Sequence, residues 1–247
     1  MSFSPIVCNG TPKSGTHALL QAVEALGFQK RAFVKALGKD ECYSRPISYG
    51  DESIFLSHDA KRHFDDYLKN AHTYRGKSEV RGFLMSPQPS RTLVHAHVAW
   101  RRRDLLDGMK VVTVIRSPRN NFLSWIRWFG PAASANFFPV YASFVSWRKD
   151  SMFVYEDLWT VASMRALAET LDVTISVADA ERVIESAKGR SLTWTNKPSN
   201  HAAVWNASLD ALWKAKGGAR LDALYQSVRE GNVADHADEM SAMAKRA

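Results

Sequence analysis

Residues 5–20 read PIVCNGTPKSGTHALL, and this stretch decides the fold. The short apolar run at 5–9 predicts a strand, and a turn of small residues at 10–16 follows it. Apolar side chains then recur at helical spacing and predict a helix from His17 to Leu26, which Gly27 ends. A turn that leads from a strand into a helix N-terminus presents backbone N–H groups, and that geometry binds phosphate or sulfate.

The loop differs from the nucleotide loop of ATP- and GTP-hydrolysing proteins. Gly10 and Gly15 have the spacing of G-x-x-x-x-G-K-[ST], but Thr16 stands where that motif has its lysine. The lysine of this loop is Lys13, three residues earlier, and the most strongly apolar strand of the chain ends in Arg116 and not in an acidic Mg²⁺ ligand. The sequence therefore predicts a phosphate cradle without the metal-dependent machinery of phosphoryl transfer.

The remaining chain alternates strands with helices. Ser117 and Pro118 open a helix, with Ser117 as the capping residue and Pro118 in the first helical position. Residues 28–53 and 75–91 read as irregular. The pattern predicts one α/β domain over residues 1–247, with a central, mostly parallel sheet flanked by helices and a mostly helical C-terminal part at 160–247. Further predicted strands are 54–58, 92–98, 110–115 and 152–155, and further predicted helices are 59–71, 101–106, 158–171, 178–187, 202–216, 219–230 and 235–245.

Composition and charge narrow the functional classes. Lys plus Arg number 33 against 25 for Asp plus Glu, so the formal net charge of +8 favours an anionic partner. Cys8 and Cys42 cannot form a disulfide framework or a zinc site, so we expect two reduced thiols. No apolar run is long enough to span a membrane, and residues 1–9 read as a first strand and not as a signal peptide. We therefore expect a cytoplasmic protein without a metal or a membrane partner.

The order of several motifs is similar to that of the sulfotransferases that use 3′-phosphoadenosine 5′-phosphosulfate (PAPS). The segment PKSGTHALL at 12–20 resembles the PKSGT loop of that family, and VVTVIRSPRN at 111–120 resembles its second nucleotide-binding segment. Ser124 follows Arg116 at the spacing of the family's phosphate-binding pair, and VYEDL at 154–158 resembles a further family segment. His97, at the end of a predicted strand, matches the position of the family's catalytic base. The resemblance implies a P-loop NTPase-like fold.

The resemblance also implies an activity, namely transfer of a sulfuryl group from PAPS to a hydroxyl or amine of a small-molecule or glycan acceptor. Lys13 would stabilise the leaving group and His97 would take the acceptor proton. The nucleotide would be held by the loop, by the pair at the end of the second strand, by an aromatic side chain and by a C-terminal lysine. The residues so implied are Lys13, Ser14, Gly15, Thr16, His17, Arg116, Ser124, Tyr155, and Lys188 or Lys197.

This sequence departs from the family at two places. The family has H-x-P after its base and often a lysine two residues before it, but here the sequence is His95-Ala96-His97-Val98-Ala99, so His95 competes with His97. The C-terminal loop that closes over the nucleotide has two candidates. One is Lys188-Gly189 followed by Trp194, and the other is 195–199 with Lys197, followed by Trp205.

Several assignments stay open in the sequence. Tyr155 either packs near the adenine or is a core tyrosine whose neighbours Glu156 and Asp157 cap the next helix. Segments 28–91 and 130–150 are expected to line the acceptor pocket. The basic run 101–103 reads as a solvated helix face that could instead attract an acidic acceptor. The aromatic residues that follow Arg116 are either core or pocket wall; they are Phe122, Trp125, Trp128 and Phe129.

Two other functional classes compete with the sulfotransferase. A P-loop kinase of a small metabolite would need ATP and Mg²⁺, and the loop lacks the lysine after Gly15. A basic nucleic-acid-binding protein would fit the net charge, but the sequence carries no binding module or stacking motif. We therefore expect no nucleic-acid partner, and the oligomeric state stays undetermined.

Overall fold

A computed structural model of the chain describes residues 5–37, 43–46, 74–86, 91–145, 147, 151–188 and 204–230. Within these residues the strands form one sheet in the order β4-β3-β2-β5-β1-β6-β7. The five strands from β2 to β7 in this order run parallel, whereas β3 and β4 are added antiparallel at one edge. The strands are β1 Ile6–Gly10, β2 Gln29–Ala36, β3 Tyr43–Pro46, β4 Tyr74–Arg75, β5 Thr92–Val98, β6 Lys110–Ile115 and β7 Met152–Val154.

Helices cover both faces of the sheet. One face packs on α1, α5 and α6, with Leu19 and Leu167 in that core, and the other packs on α2 and α4, with Leu84 and Phe144. A third apolar cluster joins α3, α4, α7 and α8 around Trp213. The helices are α1 Thr16–Ala25, α2 Lys77–Met85, α3 Pro118–Phe129, α4 Ser134–Val145, α5 Val161–Thr170, α6 Val177–Ala187, α7 Ala207–Ala215 and α8 Gly218–Arg229, and 3₁₀ turns span Trp100–Leu106, Pro131–Ala133 and Tyr155–Asp157.

The side chains of the central strands explain why these strands lie in the middle of the sheet. β1 and β6 are almost entirely buried apolar runs, which suits parallel strands covered on both faces. β1 lies between β5 and β6, so the ends of three strands meet where the loop 10–16 begins. A buried amide closes this edge: the Asn9 side chain donates to Val98 O at 3.1 Å and accepts from Val98 N at 2.9 Å.

The structure corrects three expectations about local structure. The segment 28–53, expected to be irregular, contains β2 and β3, because β2 pairs with β5 and the register shifts between Lys30 and Ala32. The segment 75–91, expected to be a loop, contains α2, whose Val80 and Leu84 are buried against the sheet. Ser117 precedes α3 as expected, but its side chain makes no capping bond.

The other predicted helices and strands either agree with the structure or lie outside the described residues. The strands at 92–98 and 110–115 and the helix that Pro118 opens are confirmed. The helices predicted at 178–187 and 219–230 are confirmed to within one residue at each end, and those predicted at 158–171 and 202–216 are confirmed with shorter bounds. The predicted elements at 54–58, 59–71 and 235–245 lie outside the described residues, as does Cys42, whereas Cys8 is a free, buried thiol.

Candidate functional site

The loop after β1 is held against the end of β6. Ser14 Oγ donates to Val114 O at 3.1 Å, and Ser14 N donates to Thr11 O at 2.9 Å. Gly10 is required here because a Cβ at that position would lie 2.7 Å from Thr16 Oγ1 and 2.8 Å from Ser14 Oγ. The loop is therefore a closed turn of fixed shape that curls around the start of α1.

Gly15 is required for two reasons. Its φ of 100° lies in the left-handed region, and a Cβ there would stand 2.1 Å from Cδ2 of Tyr155. The Tyr155 ring thus packs directly on the loop, and the Arg116 guanidinium lies 4.7 Å from the centre of the same ring. Tyr155 therefore joins the loop after β1 to the end of β6.

The N-terminus of α1 opens at this loop. The first N–H groups of a helix have no partner within the helix, and no side chain caps this one. Thr16 and His17 are its first two residues, so the N–H groups of the loop and the positive end of the helix dipole meet here. The arrangement is suited to bind an anion such as a phosphate.

Two cations flank the cradle. Lys13 is half-buried and its Nζ lies 3.9 Å from the centre of the Trp128 ring of α3. Burial first, and then the nearby charge of Arg116, lowers the pKa of Lys13 from its usual 10.5 to about 8. Among the described residues neither cation has a carboxylate within ion-pair distance. Two partly desolvated cations that repel each other favour a ligand with more than one negative charge.

Arg116 is fixed at the end of β6. Its Nη1 donates to Ser124 Oγ at 3.3 Å, two helical turns along α3, and its carbonyl accepts from Tyr141 OH at 2.7 Å. Its Nε is buried without a partner in the described part of the chain, and burial lowers the pKa of this guanidinium. Arg116 and Ser124, paired by spacing in the sequence, are thus also paired in space.

His97 lies at the opposite side of the loop, near the end of β5. Its Nδ1 is 2.7 Å from Gly10 O. Because a carbonyl only accepts, Nδ1 carries the proton, and the neutral ring keeps the lone pair on Nε2. Burial first, and also the charges of Lys35 and Lys13, lower the pKa of His97 to about 4, while the bond to Gly10 opposes this shift. His97 is therefore a neutral imidazole with a free lone pair at neutral pH.

His95 takes a different position. Its side chain is buried, and its ring lies edge-on within 4.9 Å of the centres of His17, Phe33 and His97. His17, partly exposed, has its pKa lowered to about 3 by burial and by the charges of Lys30, Lys13 and His97. The two histidines thus differ in accessibility, because His97 is partly exposed whereas His95 is enclosed.

The structure brings most of the predicted residues together at one edge of the sheet. Lys188 is exposed at the C-terminal end of α6, so its role stays a prediction, and Lys197 lies outside the described residues together with the alternative segment 195–199. The expectation that Glu156 caps the next helix is wrong: Thr160 caps α5, and Glu156 instead accepts from Ser117 N and Tyr225 OH. The residues that converge are Lys13, Ser14, Gly15, Thr16, His17, His97, Arg116, Ser124 and Tyr155.

The structure places the aromatic and basic residues whose roles the sequence left open. Phe122 and Trp125 are core residues, whereas Trp128 faces Lys13. In the basic run, Arg101 donates to Leu37 O at 2.7 Å and so ties the ends of two strands together. Arg119, within the segment 111–120, pairs with Asp222 of α8 at 3.1 Å.

Sequence reasoning missed two features of the site. One is Lys35, which pairs in register with His97 from the neighbouring strand. The signal that could have indicated this strand is the alternation of its side chains between the two faces of the sheet, which the bulge before Ala32 interrupts. The other is the contact of Tyr155 with Gly15, which nothing in the local sequence indicates.

Comparison with solved structures identifies the fold. The chain is similar to retinol dehydratase in complex with androsterone and the inactive cofactor PAP, with a TM-score of 0.55 and 14% identity over 88% of this chain and 80% of that one. A second structure, retinol dehydratase in a complex with retinol and PAP, gives 0.55 and 13% identity over 90% and 82%. Mouse sulfotransferase SULT7A1 complexed with PAP gives a TM-score of 0.49 and 14% identity over 86% of this chain and 82% of that one. No family model matches the chain, and no curated protein matches it.

The two retinol dehydratase structures confirm the predicted fold class, an α/β domain of the P-loop NTPase-like type with a parallel central sheet. At these identities they show the fold alone. In the described part of the chain no helix is long and apolar enough to cross a membrane, and no group of three metal-ligating side chains is assembled.

Proposed function

We propose that this protein is a sulfotransferase that takes PAPS as its donor and transfers the sulfuryl group to a hydroxyl or amine of an acceptor. One observation carries the proposal: Lys13 and Arg116, two half-buried cations without a described carboxylate partner, face the uncapped N-terminus of α1. That arrangement suits a ligand with several phosphate charges. The two retinol dehydratase structures of the same fold hold PAP, the product that PAPS leaves after transfer.

The donor would lie along the ends of β1 and β6. The N–H groups at the start of α1, from Gly15 to His17, would bind the 5′-phosphate. Arg116 and Ser124 would bind the 3′-phosphate, for which a guanidinium offers two parallel donors. Tyr155 lies between these two positions, on Gly15 and beside Arg116, so its ring would hold the loop in shape and limit the space around the nucleotide.

The transfer would be an in-line displacement. The bond between the sulfur and the bridging oxygen of PAPS breaks, and the acceptor oxygen or nitrogen forms the new bond to sulfur. Negative charge develops on the bridging oxygen, where the ammonium of Lys13 would stabilise it. The acceptor proton would go to Nε2 of His97, because Nδ1 already donates to Gly10 O.

A direct binding test separates this function from that of a kinase. PAP is titrated in the presence of EDTA, and ATP is titrated with Mg²⁺, each by calorimetry and by thermal unfolding. At 100 times its Kd, PAP should raise the free energy of unfolding by about 2.7 kcal/mol. Binding of ATP with Mg²⁺ but not of PAP would contradict the proposal.

Turnover is then measured with ³⁵S-labelled PAPS and a panel of hydroxylated and amino compounds. Release of PAP that depends on an acceptor, together with label on that acceptor, is the expected result. Release of PAP that does not depend on any acceptor would mean hydrolysis and would leave transfer unsupported.

A further inference from the structure

One carboxylate joins three parts of the chain beside the cradle. Glu156, in the 3₁₀ turn after β7, accepts a hydrogen bond from Ser117 N at 3.0 Å through Oε1 and one from Tyr225 OH at 2.7 Å through Oε2. Ser117 precedes α3, and Tyr225 lies in α8. Burial first, and then the charge of Glu156, raises the pKa of Tyr225, so its hydroxyl keeps the proton that it donates. Glu156 therefore connects this turn with α3 and α8.

The hydrogen bonds of Glu156 act next to two side chains of the proposed donor site. Arg116 directly precedes Ser117, and Tyr155 directly precedes Glu156. The two side chains are in contact, since Cζ of Arg116 lies 4.7 Å from the centre of the Tyr155 ring. The bond between Glu156 and Ser117 N therefore joins the two segments from which these side chains extend, and it limits how far they can move apart.

The start of α3 depends on the same carboxylate. The side chain of Ser117 makes no capping bond, and Pro118 in the first helical position has no N–H group. Glu156 accepts from Ser117 N as the acidic residue of a capping box does, but from another element of the fold. A negative charge at this end of a helix is also favourable. Because α3 carries Ser124, a shift of its start would move the hydroxyl that is bonded to Arg116.

We propose that Glu156 is a positioning residue of the donor site, which holds Arg116 in the orientation that binds the 3′-phosphate, and that Tyr225 of α8 supports it in this role. The inference rests on the proposed sulfotransferase function and adds a residue that acts through Arg116. In the described part of the chain Glu156 forms no ion pair with Arg116, and both of its oxygens already accept a hydrogen bond. The guanidinium therefore stays available for the phosphate.

A purely electrostatic role for Glu156 would have the opposite effect on binding. Its charge acts on Arg116 without an ion pair and favours the positive form of the guanidinium. The same charge repels a phosphate bound to Arg116, so if only charge acted, removal of the carboxylate would leave PAP affinity unchanged or raise it. If the hydrogen bonds of Glu156 position Arg116, their removal lowers PAP affinity. The two roles differ in the sign of the effect.

The test measures the preference for PAP over adenosine 5′-monophosphate by calorimetry in EDTA. Glu156→Ala removes both hydrogen bonds, and we expect the preference to fall about tenfold because the guanidinium is no longer held in place. Glu156→Gln makes the same change in charge but can still accept from Ser117 N and donate to the Tyr225 oxygen, so it should keep most of the preference. Tyr225→Phe removes one of the two bonds and should lower the preference by a smaller factor.

Glu169→Ala is the control with the same change in net charge. Glu169 is exposed near the C-terminal end of α5, and its replacement should keep the preference. An unchanged or higher preference in Glu156→Ala would overturn the inference, as would an equal loss in Glu156→Gln. A fall in affinity by the same factor for PAP and for the monophosphate would indicate a general structural role and would also overturn it.

A double-mutant cycle tests whether Glu156 acts through Arg116. If it does, Glu156→Ala should have little further effect on PAP affinity in the Arg116→Ala background. Equal factors in the two backgrounds would contradict this. The melting temperature of each variant is measured without ligand. If Glu156→Ala does not fold, Tyr225→Phe decides, and an unchanged preference in that variant would overturn the inference.

The two proposals fail differently in this design. If the wild-type protein does not bind PAP in EDTA, or binds it no more tightly than the monophosphate, the proposed donor site fails and the role of Glu156 fails with it. If the wild-type protein prefers PAP and Glu156→Ala keeps that preference, only the role of Glu156 fails.

Discussion

The ammonium nitrogen of Lys13 lies 3.9 Å from the centre of the Trp128 ring. Lys13 belongs to the loop after β1, with a left-handed φ of 71°, and Trp128 belongs to the last turns of α3. The ring supplies an attractive surface for a cation that has no described carboxylate partner, and such a contact contributes about 0.5–2 kcal/mol. Trp128 therefore holds the lysine at the mouth of the cradle before any anion arrives.

Replacement of Trp128 tests this positioning role. Trp128→Leu removes the aromatic face, so kcat for sulfuryl transfer should fall roughly 2- to 30-fold, which corresponds to the loss of one cation–π contact. Trp128→Phe keeps a weaker aromatic face and should retain most of the rate. Steady-state kinetics with PAPS provide the measurement. Equal rates for the two variants would mean that Trp128 contributes only bulk.

The pH dependence of PAP binding should follow Lys13. Below pH 8 its ammonium is charged in the free protein, so binding needs no proton uptake by this group. Above pH 8 the free lysine is neutral and must regain its proton to meet the anion, so affinity should fall by up to about tenfold per pH unit. Calorimetry between pH 7 and 10 measures the trend.

Lys13→Arg is the matched control for that experiment. A guanidinium keeps its charge throughout the range, so affinity should stay flat as pH rises. Lys13→Met should bind PAP more weakly at every pH and should also lose the dependence. If wild type and Lys13→Arg show the same fall in affinity, another group titrates.

Arg116 should control recognition of the 3′-phosphate. Arg116→Ala removes a donor that is already oriented by Ser124 and Tyr155, and PAP affinity should fall by about 2–5 kcal/mol. Affinity for adenosine 5′-monophosphate, which lacks the 3′-phosphate, should change little. Ser124→Ala should also reduce the preference for PAP over the monophosphate, but by a smaller factor. An Arg116→Ala variant that still prefers PAP over the monophosphate would move the 3′-phosphate elsewhere.

His97 should be needed for turnover and not for donor binding. His97→Asn retains an amide N–H for Gly10 O but removes the proton-accepting nitrogen, so kcat should fall about 10²–10⁴-fold at unchanged PAP affinity. In the wild type, kcat/KM should fall as pH drops towards 4, because protonation of His97 removes the base. His95→Asn should instead lower thermal stability, since that ring is enclosed by three others. The assignment is wrong if His95→Asn folds normally and is the inactive variant.

Gly15 should tolerate no side chain because Tyr155 occupies that space. Gly108→Ala is the matched control: Gly108 also has a positive φ, at 83°, but a Cβ there meets no atom within 4 Å. Gly108→Ala should cost only the left-handed conformation, about 1–2 kcal/mol. Gly15→Ala should cost about 1–3 kcal/mol more through the clash. Denaturant unfolding measures both, and equal losses would show that the ring moves aside freely.

The sequence predicted those parts of the fold that depend on a single continuous stretch of residues. The strands β1, β5 and β6 and the helix α1 have apolar patterns that need no distant partner to be recognised. The start of α3 was predicted from Ser117 and Pro118, which are also local signals. The cradle was predictable for the same reason, because its glycines, lysine and helix start are consecutive. Arg116 and Ser124 were paired from the spacing of the family that the sequence resembles, and they are close in space because both lie on one strand-to-helix unit.

Only the tertiary structure decided how these local pieces meet. Ser14 and Val114 are hydrogen-bonded although 100 residues separate them in the sequence. Tyr155 packs on Gly15, which is also distant from it in the sequence. β2 was missed because a bulge interrupts the alternation of its side chains between the two faces of the sheet. Its pairing with β5, a strand distant in the sequence, makes it a strand. The sequence preferred His97 to His95 from the order of the family's motifs, and only the structure shows that His97 is partly exposed whereas His95 is enclosed by three rings.

The sequence by itself therefore predicted a phosphate cradle, because a turn that contains a lysine and leads into a helix N-terminus is a local feature suited to bind phosphate. The tertiary structure determined which side chains lie next to this cradle and how they are held. Nδ1 of His97 is bonded to Gly10 O at 2.7 Å because β1 and β5 are neighbours, and Lys35 is the register partner of His97 because β2 and β5 pair in parallel. Both depend on contacts between distant residues, which no local pattern of side chains encodes.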